Sequence, residues 1–373
     1  MARFDSEGIA EQITRWVSCE SPSRDAAAVN QMQDIVEADL AAPGIAVERL
    51  PAGEGAADVV IARAGPANNQ PPVLVLSHVD TVHPIGTIER DLPLCREGER
   101  LYGPGALDMK GGAVMGLVAF RAAVADDALR RPVIYMFTPD EEIGAIHTRG
   151  LIEEMAEGVS HVLVTEPARP GGRVVTARRG SGRYDVYLRG IPAHSGSGQE
   201  IGRSAIREAA HQILRIEGAA DPDRGISVTV GLIKGGTASN TIPEHAWFNV
   251  DFRITHPEDA DRMDAFIRGL EPVDRDVAIT VEGCITRPPY GKSPGIAELH
   301  GRVQEIGAEL GLPLEELPLA GGGSDGNFTA AMGIPTIDGL GIEGAGAHTL
   351  EEHAIITSVG QRTELMYRLL TRL

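Results

Sequence analysis

Apolar residues recur at helical spacing through the first forty positions, at Ile9, Ile13 and Val17 and again at Met32, Ile35, Val36 and Leu40, which predicts helix within residues 6–40. Short β-rich runs follow at 59–61 and 73–77. The second, VLVLS, is apolar nearly throughout, as a strand covered on both faces should be. Small residues dominate 111–124, a helix suited to close packing; 131–137 (RPVIYMF) reads as the next buried strand, 148–155 as helix and 161–164 as strand. Such alternation predicts an α/β domain with a mostly parallel central sheet and helices on both faces.

From about Arg173 the pattern changes. Residues 183–188 (RYDVYL), 226–232 (ISVTVGL), 246–254 (AWFNVDFRI) and 277–282 (VAITVE) alternate apolar and polar positions, with helical stretches at 204–216 and 257–270 between them. That is the pattern of a half-exposed antiparallel sheet with helices on one face. After Pro288-Pro289 the α/β character returns, with a helix at 296–310 and the strand-like IPTIDGL ending at Leu340. At 373 residues the chain exceeds the size at which one core usually keeps growing. One discontinuous domain, residues 1–176 and 286–373, is therefore expected to be interrupted by an α+β domain at 177–285.

Composition narrows the function more than the fold. With 42% hydrophobic and 23% charged residues the chain is of the globular class. Its net charge of −19 argues against nucleic acid, whose phosphates call for a Lys/Arg surplus, and against anionic membrane surfaces. An acidic surface also simply keeps a protein soluble. Cys19, Cys95 and Cys284 are odd in number and far apart, so neither a disulfide framework nor a thiolate zinc site is expected; reduced, buried thiols are. The first residues carry acids and no apolar signal-peptide core, and no run approaches ~18 apolar residues. A cytoplasmic protein is expected.

The candidate chemistry lies just after predicted strands or in glycine-rich loops, where the ligand crevice of an α/β sheet is found. His78-Val79-Asp80 directly follows VLVLS; His78 could take a metal while Asp80 accepts its other ring N–H. YGPGALDMKGG brings Asp108 into a tight loop before a helix, as a ligand or as an ordinary N-cap. Thr138-Pro139-Asp140-Glu141-Glu142 sets acids at a strand end, where Glu141 and Glu142 can hold separate jobs, one on a metal and one as a free base. Glu166 follows HVLV, and His348 sits in the glycine-rich run from Gly341 to Thr349. Imidazoles and carboxylates without thiolates suit Zn²⁺, with Mn²⁺ or Co²⁺ conceivable. Two His and three carboxylates exceed the needs of one catalytic zinc, whereas two ions ~3.5–4 Å apart would use them all.

With these motifs the chain resembles the carboxypeptidase G / aminoacylase / succinyl-diaminopimelate desuccinylase family of co-catalytic zinc hydrolases, over nearly its whole length. SHVDTV, YGPGALDMKGG, PDEEIG, TEP, GGGSDGNF and GAHTLEEH carry the likeness. It implies that His78 and Glu166 hold one metal, Glu142 and His348 the other, and that Asp108 bridges them. Glu141 would be the general base acting on a metal-bridging water, and Asp80 the partner of His78. The inserted domain would be a lid that dimerises. In it, His194 of GIPAHSG would polarise the scissile carbonyl of a neighbouring site, while Asn240 and Arg253 would hold a substrate carboxylate. The lid motif reads GIPAHSG where many relatives have a basic residue and Ala. Arg178-Arg179 lies outside the shared pattern, either as surface or as a bias toward anionic substrates.

The implied activity is hydrolysis of an amide in a small substrate with a free carboxylate, by a carboxypeptidase or an N-acyl-amino-acid hydrolase. The alternatives are an amidase or deaminase of a non-peptide substrate on the same scaffold, an aminopeptidase, or a catalytically silent metal-binding homologue.

Overall fold

The computed structural model describes residues 3–373, which divide into two compact units: residues 3–177, 292–320 and 324–373, and residues 178–291 with 321–323.

In the first unit the long strands are β1 (Ala46–Leu50), β2 (Val59–Ala64), β3 (Val73–His78), β4 (Val133–Thr138) and β5 (His161–Val164). They form a six-stranded sheet in the order β1-β2-β4-β3-β5, closed by the short strand Thr336–Ile337. β2 runs antiparallel to both neighbours, and β3 is parallel to β4 and to β5, as Thr336–Ile337 is to β5. Every residue of β3 is buried, which is why its sequence does not alternate. On one face Leu74, Leu76, Met136, Val162 and Val164 pack with Ile152 and Ala156 of helix Arg149–Ala156 and with Phe328. On the other, Trp16 of helix Ser6–Val17 meets Phe137 edge-on and Phe120 of helix Lys110–Ala125 meets Tyr135. The fold is thus α/β, with a mostly parallel central sheet between helices.

The second unit carries β6 (Gly180–Arg189), β7 (Ser227–Gly235), β8 (His245–Ile254) and β9 (Ala278–Arg287), antiparallel in the order β7-β8-β6-β9. In β8 the alternation is complete: Ala246, Phe248, Val250, Phe252 and Ile254 are buried while the residues between them point outward. The buried face packs on Ala205, Ala209 and Ile216 of helix Ala205–Glu217 and on Met263 and Ile267 of helix Pro257–Arg268. Ser204 caps the first of these helices through the Arg207 amide.

Several expectations need correction. The helical spacing within 6–40 is carried by two helices, Ser6–Val17 and Ala26–Leu40, each opened by an Asp cap. Only Thr336–Ile337 of IPTIDGL is strand. The helix Ile356–Arg372, absent from the expected elements, buries Ile356, Val359, Leu365, Met366, Leu369 and Leu370 together with Arg362, Thr363 and Thr371. The cysteines are free but not buried, with Cys19 half-exposed and Cys95 and Cys284 exposed. No helix of the described residues is long and apolar enough to cross a membrane.

Candidate metal centre

His78 is the last residue of β3, Glu141 and Glu142 lie in a 3-10 turn after β4, and Glu166 follows β5, so parallel strands deliver all four to one end of the sheet. Asp108 comes from the loop before helix Lys110–Ala125. That helix has no side-chain cap, so Asp108 does not serve as one. His348 comes from the C-terminal loop at a left-handed φ of 64°.

Asp108 lies between the imidazoles. Its Oδ1 is 3.4 Å from His78 Nε2, and its Oδ2 is 3.3 Å from His348 Nε2. Glu166 is 3.7 Å from His78 Nε2, and Glu142 is 3.1 Å from His348 Nε2. Ligand atoms of His78, Asp108 and Glu142 all fall within 4.8 Å of one another, and so do those of His78, Glu141 and Glu166.

The charges respond to this crowding. Burial works against protonated His78, yet the carboxylates of Asp108, Asp80 and Glu141 outweigh it and hold its pKa well above 6.5. Hydrogen bonds to Asp108 and Glu142 raise His348 to about 11. Burial would raise Asp108, but the two imidazoles hold it well below the usual carboxylate range; Glu142 is raised, chiefly by burial.

The donor set fits divalent metal on a further observation. Buried His78 Nε2 and Glu142 Oε1 have no hydrogen-bond partner. Unsatisfied buried polar atoms are costly, and a cation among them would satisfy both. The ion pairs of Asp108 and Glu142 among the described residues are to imidazoles alone.

Asp80 has a wider role than its expected one. Its Oδ1 lies 3.4 Å from His78 Nδ1, but its backbone carbonyl is closer to that nitrogen, at 3.0 Å. Its carboxylate accepts the amides of Glu141 and Glu142 and the hydroxyl of Ser23. Reading the sequence missed Glu352, which accepts the amides of Gly105, Leu107 and Asp108. The available signal was a glutamate four residues after His348. Close glycines let the layers meet: a Cβ on Gly112 would stand 2.0 Å from Thr165 O, and one on Gly341 2.3 Å from the same atom.

In the second unit His194 and Asn240 come together on a small ribbon, where His194 is opposite Thr241 and the Ser195 amide donates to the Asn240 carbonyl. His194 and Asn240 are exposed. Arg253 lies on the outward face of β8 in a two-pronged pair with Asp251, at 2.9 and 3.1 Å. Arg178 is no surface residue; it is buried and donates to the carbonyls of Gly322 and Gly323.

Imidazoles and carboxylates gathered at the carboxyl ends of a parallel sheet define a metal-dependent hydrolase. Residues 74–372 match peptidase family M20/M25/M40, and the chain belongs to that family. It is 28% identical to carboxypeptidase G2 of Pseudomonas sp. (strain RS-16), over 99% of this chain and 90% of that protein. It is 30% identical to a succinyl-diaminopimelate desuccinylase of Paracidovorax citrulli, over 91% and 92%. Among solved structures, a tripeptidase from Staphylococcus aureus shares the fold with a TM-score of 0.79 at 21% identity, covering 99% of this chain and all of the other.

Proposed function

We propose that the protein is a two-metal hydrolase that cleaves an amide in a small substrate carrying a free carboxylate, either a C-terminal peptide bond or an N-acyl amino acid. The support comes from Asp108, whose two oxygens lie at 3.4 and 3.3 Å from two different imidazoles. His78 and Glu166 would hold one ion, Glu142 and His348 the other, with Asp108 shared. When bound, such ions, Zn²⁺ or else Mn²⁺ or Co²⁺, polarise a carbonyl and acidify water.

The chain's own groups do the rest. Glu141 takes the proton of the attacking water and returns it to the leaving nitrogen. Asp80 holds the turn that carries Glu141 through two backbone amides. In the second unit, the lid and dimerisation domain of this reading, Arg253 trades Asp251 for the substrate carboxylate. Asn240, which lies with His194 beyond the opposite end of β8, acts with His194 on a neighbouring site, Asn240 on its substrate carboxylate and His194 on its oxyanion. Dimerisation is supported by β7, an edge strand with Leu232 and Ile233 exposed.

The names of the relatives, a carboxypeptidase and a desuccinylase, support amide hydrolysis beside a carboxylate. The test is Glu141→Ala, assayed on N-acyl amino acids and dipeptides with added Zn²⁺, Mn²⁺ or Co²⁺. Turnover is lost while bound metal stays near the wild-type amount; a fully active variant refutes the assignment.

A further inference from the structure

Glu352 is a buried carboxylate that takes no part in the chemistry above, with only 1% of its surface exposed. Burying a carboxylate is costly unless donors surround it. Here no Lys or Arg among the described residues pairs with it. Its Oε1 accepts the amides of Leu107 and Asp108, both at 3.0 Å. Its Oε2 accepts the Gly105 amide at 3.2 Å and lies 3.1 Å from His83 Nε2. Amide bonds to an ionised carboxylate are of the strong class.

The three amides belong to the loop that carries Asp108, while Glu352 itself stands four residues after His348. A single side chain therefore ties the segments bearing two candidate ligands. The loop follows a close path: Gly105 sits at φ +74°, where a Cβ would meet Thr81 Cγ2 at 2.6 Å, a path that other residues would resist. Among the described residues, the ion pairs of His348, half-exposed on its turn, are to Asp108 and Glu142.

We propose that Glu352 is a positioning residue that fixes the spacing between Asp108 and His348, and with it the geometry offered to the ion those two share. The inference rests on reading both as metal ligands.

The experiment compares wild type with Glu352→Gln, Glu352→Ala and Val303→Ala, the last a buried core position on helix Pro294–Ala308 that serves as a stability control. Glutamine keeps one accepting oxygen, for Leu107 and Asp108, and turns a donor toward the Gly105 amide. Amide hydrogen exchange over residues 103–109 is followed in the metal-free proteins. Divalent-ion affinity and the visible absorption of the Co²⁺ form are then measured. Exchange quickens in the order wild type, Gln, Ala. Affinity for one ion falls by about 10–100-fold, the usual range for groups that orient a metal ligand, and the Co²⁺ bands shift. Val303→Ala lowers Tm with neither change.

The proposal is overturned if both Glu352 variants keep wild-type affinity and spectrum while the wild type binds two ions. It is also overturned if Val303→Ala, at matched Tm, reproduces the losses. A wild-type protein that binds no divalent ion refutes the ligand reading itself, and the positioning role falls with it.

Discussion

Asp80 accepts the backbone amide of Glu141 on its Oδ1 at 3.1 Å, so the residue beside His78 in the first motif holds in place the proposed base from a different strand. Its other oxygen takes the Glu142 amide and the Ser23 hydroxyl. Asp80→Ala leaves two amides without their acceptor and His78 Nδ1 with the backbone carbonyl alone. Turnover is expected to fall by about 10–100-fold or more, with metal affinity weakened in the same range. Asp80→Asn, which keeps one accepting oxygen, should fall between. Steady-state kinetics with metal analysis decide it; an alanine variant with unchanged kcat and metal content shows that the turn holds itself.

His348→Ala removes a group that lies 3.1 Å from Glu142 and 3.3 Å from Asp108. Under the proposed division, bound metal drops from about two ions per chain toward one, because His78 and Glu166 retain theirs. Elemental analysis after dialysis reads this directly. Loss of both ions at once would mean that the sites are not separable in the way proposed.

The residues legible in the sequence were those whose type is unusual for their place: a histidine ending an apolar strand, acids after another. β3 announced itself because its burial leaves no alternation, and β8 because its alternation is complete. Asp108 was ambiguous, since a carboxylate before a helix is ordinarily a cap; that helix has no side-chain cap, and the distances from Asp108 to His78 and His348 support the proposed ligand role. Glu352 was hard to read because its partners, three backbone amides and His83, lie more than two hundred positions away, and the local cue was only its place four residues after His348. The pairing of Arg253 with Asp251 was hidden for a different reason. Two residues apart on a strand, they share an outward face, but so do many pairs that never meet.

Gly112 offers a test of close packing. A methyl there would stand 2.0 Å from the Thr165 carbonyl oxygen, just before Glu166, and backbone cannot yield as a flexible side chain can. Gly112→Ala is expected to destabilise by about 1–3 kcal/mol, lowering Tm by several degrees. It should also loosen metal binding, since relief of the clash displaces Glu166. Thermal melts with and without added Zn²⁺ check it: the ion should raise Tm less in the variant than in wild type.

His161 predicts a pH dependence set far from the metal ligands. It opens β5 and is buried; burial, helped by the charges of Arg131 and Arg302, lowers its pKa from 6.5 to about 3. In the unfolded chain the same histidine takes its proton near 6.5, so the unfolded state binds more protons between pH 6.5 and about 3. The contribution to stability is therefore complete above pH 6.5 and is lost as pH falls through that window. At about 1.4 kcal/mol per pH unit, acidification from 6.5 to 4.5 should remove on the order of 2–3 kcal/mol through this group. His161→Gln abolishes the titration. Urea unfolding of metal-free wild type and variant at both pH values isolates it, because every other titrating group is common to the two proteins. The wild type should lose the larger share of stability on acidification, and equal losses would show that His161 titrates normally in the folded state.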